Sequence, residues 1–195
     1  MEKTRGIILA SASPRRRELL KLMGLDFTIR TASHDETMDP SAAPADEVAR
    51  VSLLKAQAVC PACAQDDIII AADTIVVCDS LVMGKPHSEQ DAFSMLRRLS
   101  GRDHQVMTGL TVMQGKNAET VTVTTTLHFR DLSDEEIRAY IATGEPKDKA
   151  GAYAVQGLAA MFAVKLDGDY YNVMGLPVCT LATMLRKRGV RILGC

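Results

Sequence analysis

The chain has 195 residues, 47% of them hydrophobic and 24% charged, the profile of one globular domain able to bury a substantial core. With 23 basic against 24 acidic residues the net charge is −1, so there is no bulk attraction to nucleic acid or anionic membrane, and any phosphate binding has to be local. No apolar run approaches the ~18–20 residues of a membrane span, and Met1 to Gly6 lacks a secretory pattern. Five cysteines without framework spacing fit a reducing compartment, and a cytoplasmic protein is expected.

The first element is an apolar strand, Ile7-Ile8-Leu9, that passes through Ala10-Ser11-Ala12-Ser13 into a helix opening Pro14-Arg15-Arg16-Arg17 and stopped by Gly24. Ser13 suits the N-cap. A helix start carries partial positive charge and unpaired N–H groups, so acidic residues would stabilise it. Three arginines there point instead to an anion, with phosphate as the obvious one, unless they are simply solvated surface.

A short strand over Asp26–Arg30 and an acidic loop, Ser33 to Pro40, come next. Pro44 to Cys60 has helical spacing at Val48, Val51 and Leu54, and carries Lys55. Cys60 and Cys63 form one C-x-x-C pair, half the ligand set of a structural zinc, and read as incidental thiols near a helix end. Asp66 to Cys78 reads as a buried strand interrupted at Asp73-Thr74, turning at Asp79-Ser80 into Leu81-Val82-Met83 and then Gly84-Lys85-Pro86. Glu89 to Leu99 is a helix closed by Gly101.

Gln105 to Arg130 predicts two long strands joined at Gly115-Lys116-Asn117, with alternating Thr120, Thr122, Thr124 and Thr126. Ser133 and Glu136 form a capping-box pattern for a helix ended by Gly144. A charged, Gly-rich stretch runs from Glu145 to Gly157, followed by a strand over Met161–Leu166 and a helix over Leu176–Arg188. The mixture of strands, helices and hairpins indicates an α/β class with an antiparallel portion.

Asp73 is the second singular residue. A carboxylate inside an apolar strand is costly unless paired, metal-bound or working, although bonding to turn amides would also account for it. Glu36 in the acidic loop could add a second hard oxygen, and two carboxylates with phosphate oxygens and water suit Mg²⁺ or Mn²⁺. Lys55, Lys85 and Lys149 are candidate counter-charges for phosphate, and Gln156 offers an amide able to read a base edge. Walker, GxGxxG, HExxH and GxSxG motifs are absent.

In combination these segments resemble the Maf proteins, nucleoside triphosphate pyrophosphatases also called septum-formation inhibitors. The resemblance rests on Ser11-Ala12-Ser13-Pro14-Arg15-Arg16, Asp35-Glu36, Lys55, Ala71-Ala72-Asp73-Thr74, Gly84-Lys85-Pro86 and Leu99-Ser100-Gly101. It continues through Asp148-Lys149-Ala150-Gly151-Ala152-Tyr153, Gln156-Gly157 and Gly175-Leu176-Pro177. It implies a single domain over residues 1–195, an elongated mixed β-sheet flanked by helices, with two lobes and a central cleft, similar to the inosine triphosphatase (Ham1) fold.

The resemblance also implies metal-dependent cleavage between the α and β phosphates of a nucleoside triphosphate, releasing a monophosphate and pyrophosphate. Asp73 takes the position of the proton acceptor for water; with Glu36 it is equally a candidate metal ligand, a role that competes with the first because a metal-bound carboxylate is a poorer base, and Lys55 and Lys85 complete the catalytic set. Ser11, Ser13, Arg15, Arg16, Thr74, Lys149 and Gln156 fall at substrate positions. Arg15, Thr74 and Gln156 match the dTTP/UTP subgroup. The sister subgroup acting on 7-methyl-GTP carries an aromatic residue before the paired arginines, Gln after the Asp, and Glu at the last position. This chain departs from it at all three. The family further implies a homodimer and a housecleaning role. A non-catalytic, nucleotide-binding regulator of division is the alternative of a different class. Nucleic acid as partner is disfavoured by the low charge and the 4% aromatic content.

Overall fold

Residues 5–33, 35 and 37–193 are described in the computed structural model, and their elements follow the order expected from the periodicity. They are β1 (Ile7–Leu9), α1 (Pro14–Leu22), β2 (Thr28–Ile29), α2 (Pro44–Val59), β3 (Ile68–Cys78), β4 (Leu81–Met83) and α3 (Glu89–Leu99). Then come β5 (Asp103–Gln114), β6 (Asn117–Phe129), α4 (Asp134–Ala142), β7 (Ala163–Asp167), α5 (Tyr170–Val173) and α6 (Val178–Arg186). The mixed sheet has the order β2-β1-β3-β5-β6-β7, with β4 paired to β3. No helix among the described residues is long and apolar enough to cross a membrane.

Contacts divide the chain into two units, Met1–Asp73 with Thr108–Val123 and Gly175–Cys195, and Thr74–Met107 with Thr124–Met174. The division falls between Asp73 and Thr74, the two residues at which burial drops within β3. The strand itself is continuous over eleven residues, so the interruption expected from the sequence is one of burial and not of backbone.

In the first unit β1 pairs in parallel with β2 and β3, with Ile8 opposite Thr28 and Ile69. Ile8, Ala10, Ala56, Val59, Ile69, Ala71 and Met113 share one buried cluster. The apolar face of α2 seats on the β5 segment at Gly109, where a Cβ would come within 2.2 Å of the Val48 carbonyl oxygen. Hydroxyls stitch the same helix down. Ser52 Oγ lies 2.7 Å from Thr111 Oγ1, which lies 2.9 Å from Thr120 Oγ1, and Thr122 donates to the Ala45 carbonyl at 2.7 Å. The half-buried Thr120 and Thr122 of β6 thus have a specific use: with their help the fully buried hydroxyls of Ser52 and Thr111 are paired and α2 is held to the sheet. Arg50 grips Glu47 through Nε and Nη2, and together with the Asp39 N–H this holds the Glu47 carboxyl down at about 2.

The second unit has its own core, in which edge-to-face rings run from His104 to Phe129 and Tyr153, and from Phe129 through Phe162 to Tyr140. His104 Nε2 meets the Tyr153 hydroxyl at 2.9 Å. Burial pushes the imidazole down to about 4, so it sits neutral at physiological pH, and pushes the Tyr153 phenol up. Ser133 and Glu136 close the expected capping box on α4. The late strand begins at Ala163 because Leu158–Met161 forms a 3-10 turn. The four-residue α5, capped by Asp169, is too short to leave a period in the sequence.

Candidate active site

Asp73 and Lys55 form an ion pair within the first unit. Lys55 Nζ lies 2.6 Å from Asp73 Oδ1, with side-chain exposures of only 11% and 16%. Each partner is costly to shield from water without the other, so the ion pair fixes both. Lys55 is delivered by the helix face that also carries Val48, Val51, Ser52 and Val59, all at helical spacing and all buried. Asp73 comes from the end of a run of five fully or nearly fully buried residues, Ile68 to Ala72.

The loop after β1 is carried alongside the same strand. Leu9 registers with Ile70, and the Ala10 N–H donates to the Ile70 carbonyl at 2.8 Å. The parallel register therefore brings Ser11–Ser13 and the start of α1 beyond the carboxyl ends of β1 and β2, where open α/β sheets take their ligands. Ser13 caps α1, its Oγ accepting from the Arg16 N–H at 3.5 Å, and the first turn contains no acidic residue. Arg16 braces the loop: Nε donates to the Gly175 carbonyl at 2.8 Å and Nη1 to Ser11 Oγ at 3.2 Å. Ser11 Oγ also accepts from the Ser13 N–H at 3.2 Å. Ser11, Ser13 and Arg16 are thus one hydrogen-bonded set, with Arg15 half-buried beside it.

The remaining sequence candidates belong to the second unit. Thr74 follows Asp73 directly, half-buried. The loops of Lys85 and Lys149 are tied together by the Gly151 N–H donating to the Gly84 carbonyl at 3.0 Å. Gly151 has φ +67° and its Cα faces Val76, so that a Cβ would lie 2.9 Å from Val76 Cγ2. Its neighbour Ala152 is held at φ +60° while fully buried, a strained conformation of the kind retained at working loops. Lys85 is exposed, and Lys149 pairs with Asp148. Gln156 is exposed in a turn closed by the Gly157 N–H donating to the Ala154 carbonyl at 2.9 Å. Glu36 lies outside the described residues; its neighbour Asp35 accepts from the Thr37 N–H at 2.8 Å.

The two C-x-x-C thiols are free and bond to carbonyls, Cys60 to Gly115 and Cys63 to Val59, and burial raises the Cys63 thiol. A thiol raised in this way, as at Cys63, is a weaker nucleophile. Gly109 has a signal in the sequence, a glycine in the interior of a long strand, which the motifs above do not include. Tyr140 and Glu145 carry no recognisable motif.

The chain matches the family described as Maf-like protein over residues 6–188. It is 49% identical over 189 residues to a dTTP/UTP pyrophosphatase of Pelotomaculum thermopropionicum, covering 96% of this chain and 98% of that one. It is 43% identical over 190 residues to a dTTP/UTP pyrophosphatase of Hahella chejuensis, covering 96% and 94%. Among solved structures it is similar to the Staphylococcus aureus Ham1 protein, with a TM-score of 0.53 at 14% identity over 94% of this chain and 99% of that one, a likeness of fold.

Proposed function

The chain belongs to the Maf-like protein family, and from that membership we propose that it is a nucleoside triphosphate pyrophosphatase acting on dTTP and UTP. The observation that carries the reading is the Lys55–Asp73 pair: Asp73 stands in an otherwise buried strand whose parallel neighbour, β1, leads into a helix start rich in arginine. Water adds across the bridge between the α and β phosphorus atoms, giving a nucleoside monophosphate, pyrophosphate and one proton.

Asp73 takes the proton of the attacking water, with Lys55 fixing the carboxylate's orientation through Oδ1. Arg15 holds phosphate oxygens at the positive end of α1, and the Arg16 brace keeps Ser11 and Ser13 in place for the same purpose. Lys85 and Lys149 supply further positive charge, while Thr74 and Gln156 choose the base.

A divalent cation, Mg²⁺ or Mn²⁺, belongs to this reading. Among the described residues no group of three or more His, Cys, Asp or Glu side chains is arranged to hold one. The donor set that fits is one carboxylate, Asp73, completed by substrate phosphate oxygens and water, a common way of binding Mg²⁺. Glu36 is the second ligand proposed. When bound, the cation offsets phosphate charge and polarises the phosphoryl oxygens.

Initial rates on UTP, dTTP, CTP, GTP and 7-methyl-GTP with Mg²⁺ test the substrate class. We expect kcat/KM for UTP and dTTP to exceed that for the others by at least about tenfold. A preference for 7-methyl-GTP would move the chain to the sister subgroup.

A further inference from the structure

Gln156 sits in the middle of a turn whose two ends are hooked by a pair of side chains with no role so far. The Ala154 N–H donates to the Tyr140 hydroxyl at 3.1 Å, and the Leu158 N–H donates to Glu145 Oε2 at 3.1 Å. The Tyr140 hydroxyl in turn donates to Glu145 Oε1 at 2.8 Å, closing a circuit around the turn. Gly157 completes it: a Cβ there would lie 2.3 Å from Glu145 Oε2, so the carboxylate sits directly against bare backbone. Tyr140 is itself immobilised, 4% exposed and edge-on to Phe162 at 5.1 Å between centroids.

We propose that Tyr140 and Glu145 are positioning residues for base selection, fixing the distance from which Gln156 reads the substrate. This rests on the assignment of Gln156 as the base reader. Uracil presents an N3–H donor beside an O4 acceptor, a pattern an amide matches with its own acceptor and donor. Guanine repeats the pattern in N1–H and O6, but further from the sugar. Hydrogen-bond chemistry therefore does not separate the two bases; the fixed reach of Gln156 does. A turn anchored at both ends holds the amide where only the smaller base fits, and a loosened turn lets it retreat and admit the purine.

The test compares kcat and KM for UTP and GTP in the wild type, Tyr140→Phe, Glu145→Gln, Gln156→Ala and the double variant Tyr140→Phe with Gln156→Ala. Tyr140→Phe keeps the ring in the core and removes only the hydroxyl, and thermal melts confirm that each variant is folded. The expected result is a fall of about tenfold in the UTP-to-GTP ratio of kcat/KM. The fall is carried by KM, appears in both Tyr140→Phe and Glu145→Gln, and is not compounded in the double variant. Equal losses on both nucleotides in Tyr140→Phe, or an unchanged ratio there while Gln156→Ala collapses it, would overturn the clamp and leave Gln156 as reader. An unchanged ratio in Gln156→Ala would overturn the reader and the clamp together.

Discussion

Asp73→Asn is expected to lower kcat on UTP by about 10²–10⁴-fold, the usual contribution of a positioned proton acceptor. The amide keeps the shape of the side chain and removes its capacity to accept a proton from water. It also leaves the Lys55 ammonium, 11% exposed, facing a neutral partner. A loss of about 1–2 kcal/mol in stability should accompany the kinetic defect, below the figure for a fully buried pair because both side chains retain some contact with water. The double variant Lys55→Met with Asp73→Asn separates the two effects. It should recover most of the stability and remain inactive in steady-state assays. Turnover by Asp73→Asn close to that of the wild type would remove Asp73 from the chemistry.

Gly109→Ala, a change away from the charged residues, is expected to lower stability and activity together. The added Cβ would stand 2.2 Å from the Val48 carbonyl oxygen and 2.8 Å from the Ala49 nitrogen, both backbone atoms of α2. Backbone cannot rotate aside as a side chain would, so the helix has to lift from the sheet. Overpacking of this kind costs about 1–3 kcal/mol, which for a chain of this size lowers Tm by roughly 2–12 °C. Lifting α2 also disturbs the Ser52–Thr111–Thr120 hydroxyl chain and displaces Lys55, two turns further along the same face. Activity should therefore fall with stability. Calorimetry checks the first effect, and a Tm within about 1 °C of the wild type would refute the close seat of α2 on β5.

Much of the fold was legible because its signals are local. Ser13-Pro14 and the Ser133/Glu136 pair announce helix starts through hydrogen bonds within one turn, and both are found where expected. Alternation and apolar runs located the long strands, and Asp73 stood out as a carboxylate in the wrong company. What escaped depends on neighbours distant in sequence. Gly109 is required by a helix some sixty residues earlier, and the partner of Thr111 is Ser52 on that same helix. The bracing of the α1 loop by Arg16 needs the Gly175 carbonyl, which no reading of Arg15-Arg16-Arg17 alone supplies. The Tyr140–Glu145 circuit is built mostly on backbone N–H groups, and backbone partners leave no mark on residue identity.

Every role assigned to Asp73, Lys55 and Arg15 depends on cleavage at the bridge between the α and β phosphates. Purified protein incubated with UTP and Mg²⁺, its products followed by phosphorus NMR, tests this directly. UMP and pyrophosphate should appear in equal amounts from the first time point, with no free orthophosphate. UDP with orthophosphate, or no turnover of any pyrimidine triphosphate, would mean that the bond is not cleaved there.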